Sequence, residues 1–588
     1  MTDSRGITRR ALLQRGAVAG AGVALGRAPA AFAAPRRGRG LRVAVLGGGM
    51  AGLAAAHELA ERGFQVTVYE RNALGGKARS IPVAGTAAGG RRDLPGEHGF
   101  RFFPGFYHHV PDSMRRIPFP GNANGVWDNL EAAPDSKWMR AGDRPDGGPF
   151  GIGPDSQQAL TVDGLRRILF DVVYQRDVPP QEMAYFVERL MVFFTSSNER
   201  RFGQWEHVSW WDFLKASTKS PQYQKELAAG LTRNLVAAKE HVASTRTIGH
   251  MGEAFVWNIL GRGNDGAPDR VLNLPTNEAW IEPWIVHLKS LGVQFAVGRT
   301  VEGLEVERGR ISAAVIRDHR HRRHRVAADW YVMAMPVERA RRVLGPQVRA
   351  LEPAVNGLDQ LFVDWMAGIQ FYLKRRVNIV HGHMTFLDSP WALTALTQAQ
   401  FWGRRDFPRD YGDGTAVDSF SIDISDWDTP GMLFKKPAKQ CTHDEIAREV
   451  WAQILTHHTA GDQLQGDIVH SWFLDPGIAW VRGRNANRND TPLLVNTVGT
   501  WEKRPQAHTK IPNLFLGGDY VQTDIDLATM EGGNESGRAA VAALLHAAGS
   551  SASPPAMYTL YEAPELAEVK AIDAQRYKAG QPNIFDVG

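Results

Sequence analysis

The sequence predicts an α/β fold in which a parallel-sheet nucleotide-binding domain is interleaved along the chain with a mixed α+β substrate domain. Three observations predict it. A strand, a glycine-rich turn, a helix and a second strand follow one another near the N-terminus. A matching strand-to-helix unit stands near the C-terminus. Between them lies a long stretch of helical and β-rich sequence, and 588 residues are too many for one core.

The N-terminal unit carries the most information. Residues 41–46 read as a short buried strand, and Gly47-Gly48-Gly49-Met50-Ala51-Gly52 follows at once as G-x-G-x-x-G. Residues 53–62 read as a helix ended by Gly63, and 65–69 as a second strand with Glu70 at its tip. Each part has a mechanical reason. Gly47 permits the tight turn, Gly49 lets a pyrophosphate approach the backbone, and Gly52 lets helix and strand pack closely. The helix start at Met50 and Ala51 offers free N–H groups and positive potential to phosphate. Glu70 lies 18 residues after Gly52, near the spacing at which a carboxylate meets ribose hydroxyls. The order is that of a Rossmann-type dinucleotide site and does not by itself separate FAD from NAD.

The next residues do. Leu74-Gly75-Gly76-Lys77-Ala78-Arg79-Ser80 resembles the G-G-[RK]-x-x-[ST] element of the flavin amine oxidase and carotenoid desaturase superfamily. That resemblance implies FAD, with Gly76 in a loop along the pyrophosphate and Lys77 or Arg79 supplying positive charge. Near the other end, 514–516 reads as a strand leading into Gly517-Gly518-Asp519-Tyr520, then Thr529-Met530-Glu531-Gly532 and a helix to His546. This resembles the superfamily's C-terminal FAD motif, in the order seen in plant-type phytoene and zeta-carotene desaturases. The resemblance places Asp519 at the ribityl or phosphate region and the backbone at Met530 at the flavin pyrimidine edge, where a helix N-terminus stabilises negative charge. Between the two motifs, Pro275-Thr276-Asn277-Glu278 precedes an amphipathic helix through Leu288, and 294–297, 301–306, 311–316 and 329–335 read as strands. The superfamily's adenine contact falls on Val301.

The substrate side is less specific. Residues 97–107, from Glu97 to Tyr107, are dense in aromatics and resemble the E-x-G-L-H-x-F-F-G-x-Y element of plant-type desaturases, which lies against the flavin ring. Arg101 stands where those relatives carry histidine, and Pro104 replaces a phenylalanine. Arg101 is the candidate catalytic residue, either polarising a substrate oxygen or holding the flavin; the alternative is an arginine that fixes its loop through backbone hydrogen bonds. Residues 160–262 read as mostly helical, including 183–194 and 224–236, while 361–373 and 391–425 mix β-rich and aromatic runs. His319, His321 and His324 among arginines read as an exposed hairpin connection, and Asp423, Asp426 and Asp428 around Trp427 as a turn. No P-loop, G-x-S-x-G or zinc-ligand spacing is present, so no metal is expected.

The leader has its own logic. Thr8-Arg9-Arg10-Ala11-Leu12-Leu13, a weakly apolar stretch over 16–25, and Ala31-Phe32-Ala33-Ala34 form a twin-arginine export signal with a small-residue cleavage site. Of the net charge of +5, residues 1–34 carry five arginines against Asp3; the remainder holds 63 basic and 62 acidic residues. The basicity belongs to the leader, and no nucleic-acid partner is expected. The single cysteine, Cys441, rules out an internal disulfide, which suits a protein folded before export. A composition of 43% hydrophobic and 22% charged residues excludes global disorder, and no apolar run is long enough to span a bilayer.

The domains expected are a leader at 1–34, FAD-binding segments at 35–130, 271–345 and 491–549, a mostly helical cap at 131–270, a substrate domain at 346–490 and a tail at 550–588. The resemblance implies dehydrogenation or desaturation of a small apolar, isoprenoid-like substrate by hydride transfer to flavin N5, with oxygen or a quinone as acceptor. Hydroxysqualene dehydroxylase-like chemistry belongs to the same neighbourhood. The alternatives are a flavin amine oxidase using oxygen and a non-catalytic lipid-binding member of the fold; Glu70, Asp519 and the turn glycines argue against the last. A periplasmic or extracellular location, or the outer face of the cell membrane, with peripheral membrane contact, follows from the leader and the apolar substrate.

Overall fold

The apolar strand at Arg42–Leu46 becomes the middle of a five-stranded parallel sheet, because its Val43–Leu46 side chains are buried on both faces. The computed structural model describes residues 40–142, 144–147, 161–174, 177–230, 232–233 and 238–586. The leader at 1–34, the linker up to residue 39 and the 234–236 end of the helix expected at 224–236 lie outside the described residues. The sheet runs Leu514–Gly517, Trp330–Ala334, Arg42–Leu46, Gln65–Glu70 and Gln294–Val297, with every neighbouring pair parallel. Strands far apart in sequence thus lie side by side, and the N- and C-terminal motifs reach the same end of one sheet.

A second sheet of six strands takes the order Val469–Leu474, Ala367–Leu373, Asp418–Ile424, Leu393–Thr397, Gly382–Phe386 and Asp135–Met139. It is antiparallel except for its last, parallel pair. The helical part contains Val162–Val173, Pro180–Phe194 and Thr245–Ile259, packed through Phe186, Met191, Phe193 and Trp257.

Two sequence expectations need correction. The His-Arg tract is not only a connection: Arg323–Val326 is itself a strand paired with Arg310–Arg317, and His324 sits 2.9 Å from the Asp318 carboxylate. The tail at 550–588 is not separate from the helical part. Ala563 and Leu566 join its core, and the buried Arg200–Asp573 pair at 2.9 Å ties the Ala567–Lys578 helix to it. A charged, Ala-rich composition hid that docking, because the burial is carried by an ion pair and a few small side chains.

Candidate active site

Missing side chains bring two helix N-termini together. A Cβ on Gly52 would lie 1.9 Å from the Gly47 carbonyl oxygen, and one on Gly537 would lie 2.4 Å from the Ala51 carbonyl oxygen. Glycine at these positions lets the Met50–Glu61 helix approach the turn before it and pack against the Met530–Ala547 helix. Gly47 also has φ +121°, and a Cβ there would sit 2.1 Å from the Ala334 carbonyl oxygen. Both helix starts open onto a cavity of about 900 Å³.

Gly47, Gly49, Met50, Ala51, Glu70, Gly76, Lys77, Arg79, Arg101, Val301, Asp519 and Met530 all line this cavity. Gly52 does not; it sits behind them at the helix–strand contact, as its packing role requires. The Met50–Glu61 helix has Gly49 as its N-cap with no side-chain hydrogen bond, so its first-turn N–H groups are left for a ligand. A Cβ on Gly49 would project into the gap towards Gly76, whose Cα is 3.9 Å away. The Glu70 carboxylate accepts the Gly48 N–H at 2.8 Å and the Asn72 N–H at 2.7 Å, and each oxygen keeps a spare lone pair. Asp519 holds a buried Oδ1 with no partner. Lys77 donates to the Pro492 carbonyl and Arg79 to the Gly76 carbonyl at 2.6 Å, so both hold their charge on the cavity wall. Acceptors at one end, an uncapped helix start in the middle and an orphaned buried carboxylate oxygen beyond it fit a dinucleotide such as FAD.

Arg101 takes the structural role. Its guanidinium donates to the carbonyls of Ala78 (3.1 Å), Gly99 (2.6 Å), Phe100 (3.1 Å) and Lys77. Its donors therefore clamp the aromatic loop to the Gly76–Ala78 turn. Of the roles open to Arg101, these bonds support the arginine that fixes its loop, a positioning residue on the cavity wall. Glu531 adds a second clamp: it accepts the backbone N–H groups of His108, His109 and Val110 and so fixes the aromatic loop to the start of the Met530–Ala547 helix.

The sequence reading missed the acid-base groups. Asp423 lies within the Asp418–Ile424 strand rather than in a turn; the turn reading holds for Asp426, which accepts the Asp428 and Thr429 N–H groups at 2.9 Å. Asp423 lines the cavity, is 5% exposed and has an Oδ1 without a partner. Burial pushes its carboxyl up to about 7, against the nearby Arg101 guanidinium. The signal was the alternation Ser419, Ser421, Asp423 against Phe420, Ile422, Ile424, which puts Asp423 on a polar strand face. His98 also lines the cavity; its Nδ1 bonds the Asp475 carboxylate, and its Nε2 is buried with no partner.

Outside the cavity, His57, Glu61 and His287 bring ligand-type atoms within 4.8 Å of one another. The Trp284 indole N–H donates to His57 Nδ1 at 3.2 Å, which places the imidazole proton on Nε2, 3.2 Å from Glu61. A ring nitrogen that keeps its proton and faces the Glu61 carboxylate is not arranged as a metal ligand.

Comparison with known proteins agrees with this geometry. A family model described as flavin containing amine oxidoreductase matches residues 50–545. Carotenoid phi-ring synthase of Chlorobaculum tepidum is 23% identical over 280 residues, spanning 46% of this chain and 39% of that protein. Its namesake in Streptomyces griseus is 42% identical over 76 residues, 13% of this chain and 14% of that one. The chain thus spans well under half the length of either curated relative. Among solved structures, cyclohexylamine oxidase from Brevibacterium oxydans superposes with TM-score 0.54 at 14% identity, over 86% of this chain and 99% of that one. A putrescine oxidase variant gives 0.56 at 12% identity, over 86% and 99%. At such identities these two likenesses concern the fold alone.

Proposed function

The chain belongs to the flavin-containing amine oxidoreductase family, and on that premise we propose that it dehydrogenates an apolar, isoprenoid-like substrate with bound FAD as the oxidant. Membership makes it an FAD-dependent oxidoreductase rather than a non-catalytic lipid carrier. The observation that carries the substrate class is the far wall of the cavity, built from Phe100, Phe102, Phe106, Tyr107, Met251 and Phe255. Such a wall removes apolar surface from water and offers a hydrocarbon chain no ionic anchor. The carotenoid-named relatives support the same class.

Bound flavin supplies an acceptor for a hydride. This chain's residues do the rest. Glu70 would accept from ribose hydroxyls, and the first-turn N–H groups at Met50 and Ala51, beside Lys77 and Arg79, would hold the pyrophosphate. The backbone of Val301 would hold the adenine, Asp519 the ribityl chain, and the helix start at Met530 would stabilise charge on the flavin ring. The aromatic wall orients the substrate and excludes water, while Arg101 holds that wall in place. Export by the twin-arginine route, substrate uptake at the membrane surface, and oxygen or a quinone as final acceptor complete the reading.

Asp423 favours a second reading, amine oxidation, because a buried carboxyl with an unpartnered oxygen on the cavity wall is a partner for a substrate ammonium. Incubation with polyprenes and a quinone decides between the two. The proposal expects a product lighter by two hydrogens with one new C=C bond. Unchanged isoprenoids alongside oxidised amines would replace it with the second reading.

A further inference from the structure

The aromatic loop crosses the second sheet in a way that sets one histidine apart. The Gly368 N–H donates to the His98 carbonyl at 2.5 Å, so the loop lies directly on the Ala367–Leu373 strand. A Cβ on Gly368 would come within 2.7 Å of the Gly99 Cα, and one on Gly99 within 2.4 Å of Asp423 Oδ1. Two glycines therefore let the loop sit down on the sheet. The strand below it pairs on one side with Asp418–Ile424, with Gly368 opposite Asp423, and on the other side with Val469–Leu474. Asp475 follows that last strand, and the Pro476-Gly477 turn fixes it: its Oδ1 accepts the Gly477 N–H at 2.8 Å.

His98 reaches sideways to Asp475. The Asp475 carboxylate accepts from Nδ1, and side-chain exposures of 12% and 4% keep the pair out of bulk water. Burial raises the Asp475 carboxyl, and the adjoining His98, the Gly477 N–H and Arg79 together more than reverse that. With its proton on Nδ1, the neutral imidazole carries a lone pair on Nε2, and that atom is buried, unpartnered and part of a residue lining the cavity. Among the described residues no group bonds it. Charged or titratable groups close to the pair or to Asp423 on the same wall include Arg79, Arg101, Glu97 and His383.

We propose that His98 Nε2 accepts the proton that leaves the substrate during dehydrogenation, with Asp475 as the residue that positions it. The inference rests on the dehydrogenation proposed above. One substrate C–H bond breaks with its electron pair, and the hydride goes to the oxidant, a flavin. The neighbouring C–H gives its proton to Nε2, and the electrons of that bond form the new C=C. The resulting imidazolium is stabilised by the Asp475 carboxylate, the arrangement in which an acid orients and stabilises a general base.

The test uses the flavin-loaded protein and has one arm with turnover and one without. Under anaerobic conditions His98→Gln and His98→Ala are expected to keep their flavin and to be reduced by substrate roughly 10²–10⁴-fold more slowly than wild type. Added imidazoles should speed His98→Ala in the order of their basicity, which a purely structural loss would not show. In the second arm, diethyl pyrocarbonate should acylate His98 at Nε2 in the wild type and react there more slowly in Asp475→Asn. Wild-type reduction rates in His98→Gln would overturn the proposal. So would equal acylation in wild type and Asp475→Asn, which decides the matter even if the His98 variants do not fold. If amines alone reduce the wild type, the substrate class falls, and the His98 comparison is then decided on the amine, whose oxidation also releases a proton.

Discussion

Replacing Asp423 with asparagine removes a titrating proton from the interior of the second sheet while nearly preserving shape. Burial holds the folded carboxyl near 7, against an ordinary value of 3.8. Between those values the folded state binds a proton that the unfolded state has released. The stability this group contributes is thus complete below about pH 4 and is lost as pH rises through about 7. A tenfold change in proton affinity is worth about 1.4 kcal/mol, so the whole window is worth at most about 4 kcal/mol and the part above pH 5 about 3 kcal/mol. Asp423→Asn should therefore gain about 3 kcal/mol relative to wild type on going from pH 5 to pH 8. Urea unfolding of both flavin-loaded proteins at the two pH values, followed by tryptophan fluorescence, reads this difference of differences. Glu535, raised by burial to about 7, and Asp418, raised to about 6, titrate alike in both proteins and cancel. Parallel pH dependence in the two proteins would refute the reasoning, because it would mean that Asp423 finds a partner and stays charged.

Other outcomes follow from the cofactor end and the leader. Glu70→Ala removes an acceptor for ribose and frees the Gly48 and Asn72 N–H groups; flavin affinity, measured by fluorescence titration of the apoprotein, should fall by roughly 1.5–3 kcal/mol, about ten- to a hundredfold. Changing Arg9 and Arg10 to lysine should leave precursor in the cytoplasm, read by fractionation and blotting; undiminished mature protein beyond the membrane would remove the twin-arginine assignment.

The nucleotide half was legible because its signals are local. The turn glycines, Glu70 and the Asp519–Met530 segment each lie beside the strand or helix that positions them, and the parallel order of the sheet follows once both motifs bind one ligand. The acid-base wall was not legible. His98 and Asp475 are 377 residues apart, and neither stands in a motif that names its partner. Asp423 was read with Asp426 and Asp428 because three acids in six residues resemble a turn, yet only its strand register places it on the cavity. Arg101 was legible as special and ambiguous in role, since two of the four carbonyls that occupy it belong to a turn more than 20 residues away. The tail's docking depended on the buried Asp573, a residue that composition alone assigns to the surface.

Anaerobic bleaching asks whether FAD in this cavity oxidises an apolar isoprenoid-like substrate. Purified protein should carry about one flavin per chain, and its visible absorbance should be followed after mixing with matched panels of isoprenoids and amines. Isoprenoids should abolish the oxidised flavin band, with slow recovery in air and fast recovery with a quinone. Rapid bleaching by amines with none by isoprenoids, or a protein that binds no flavin at all, would contradict it.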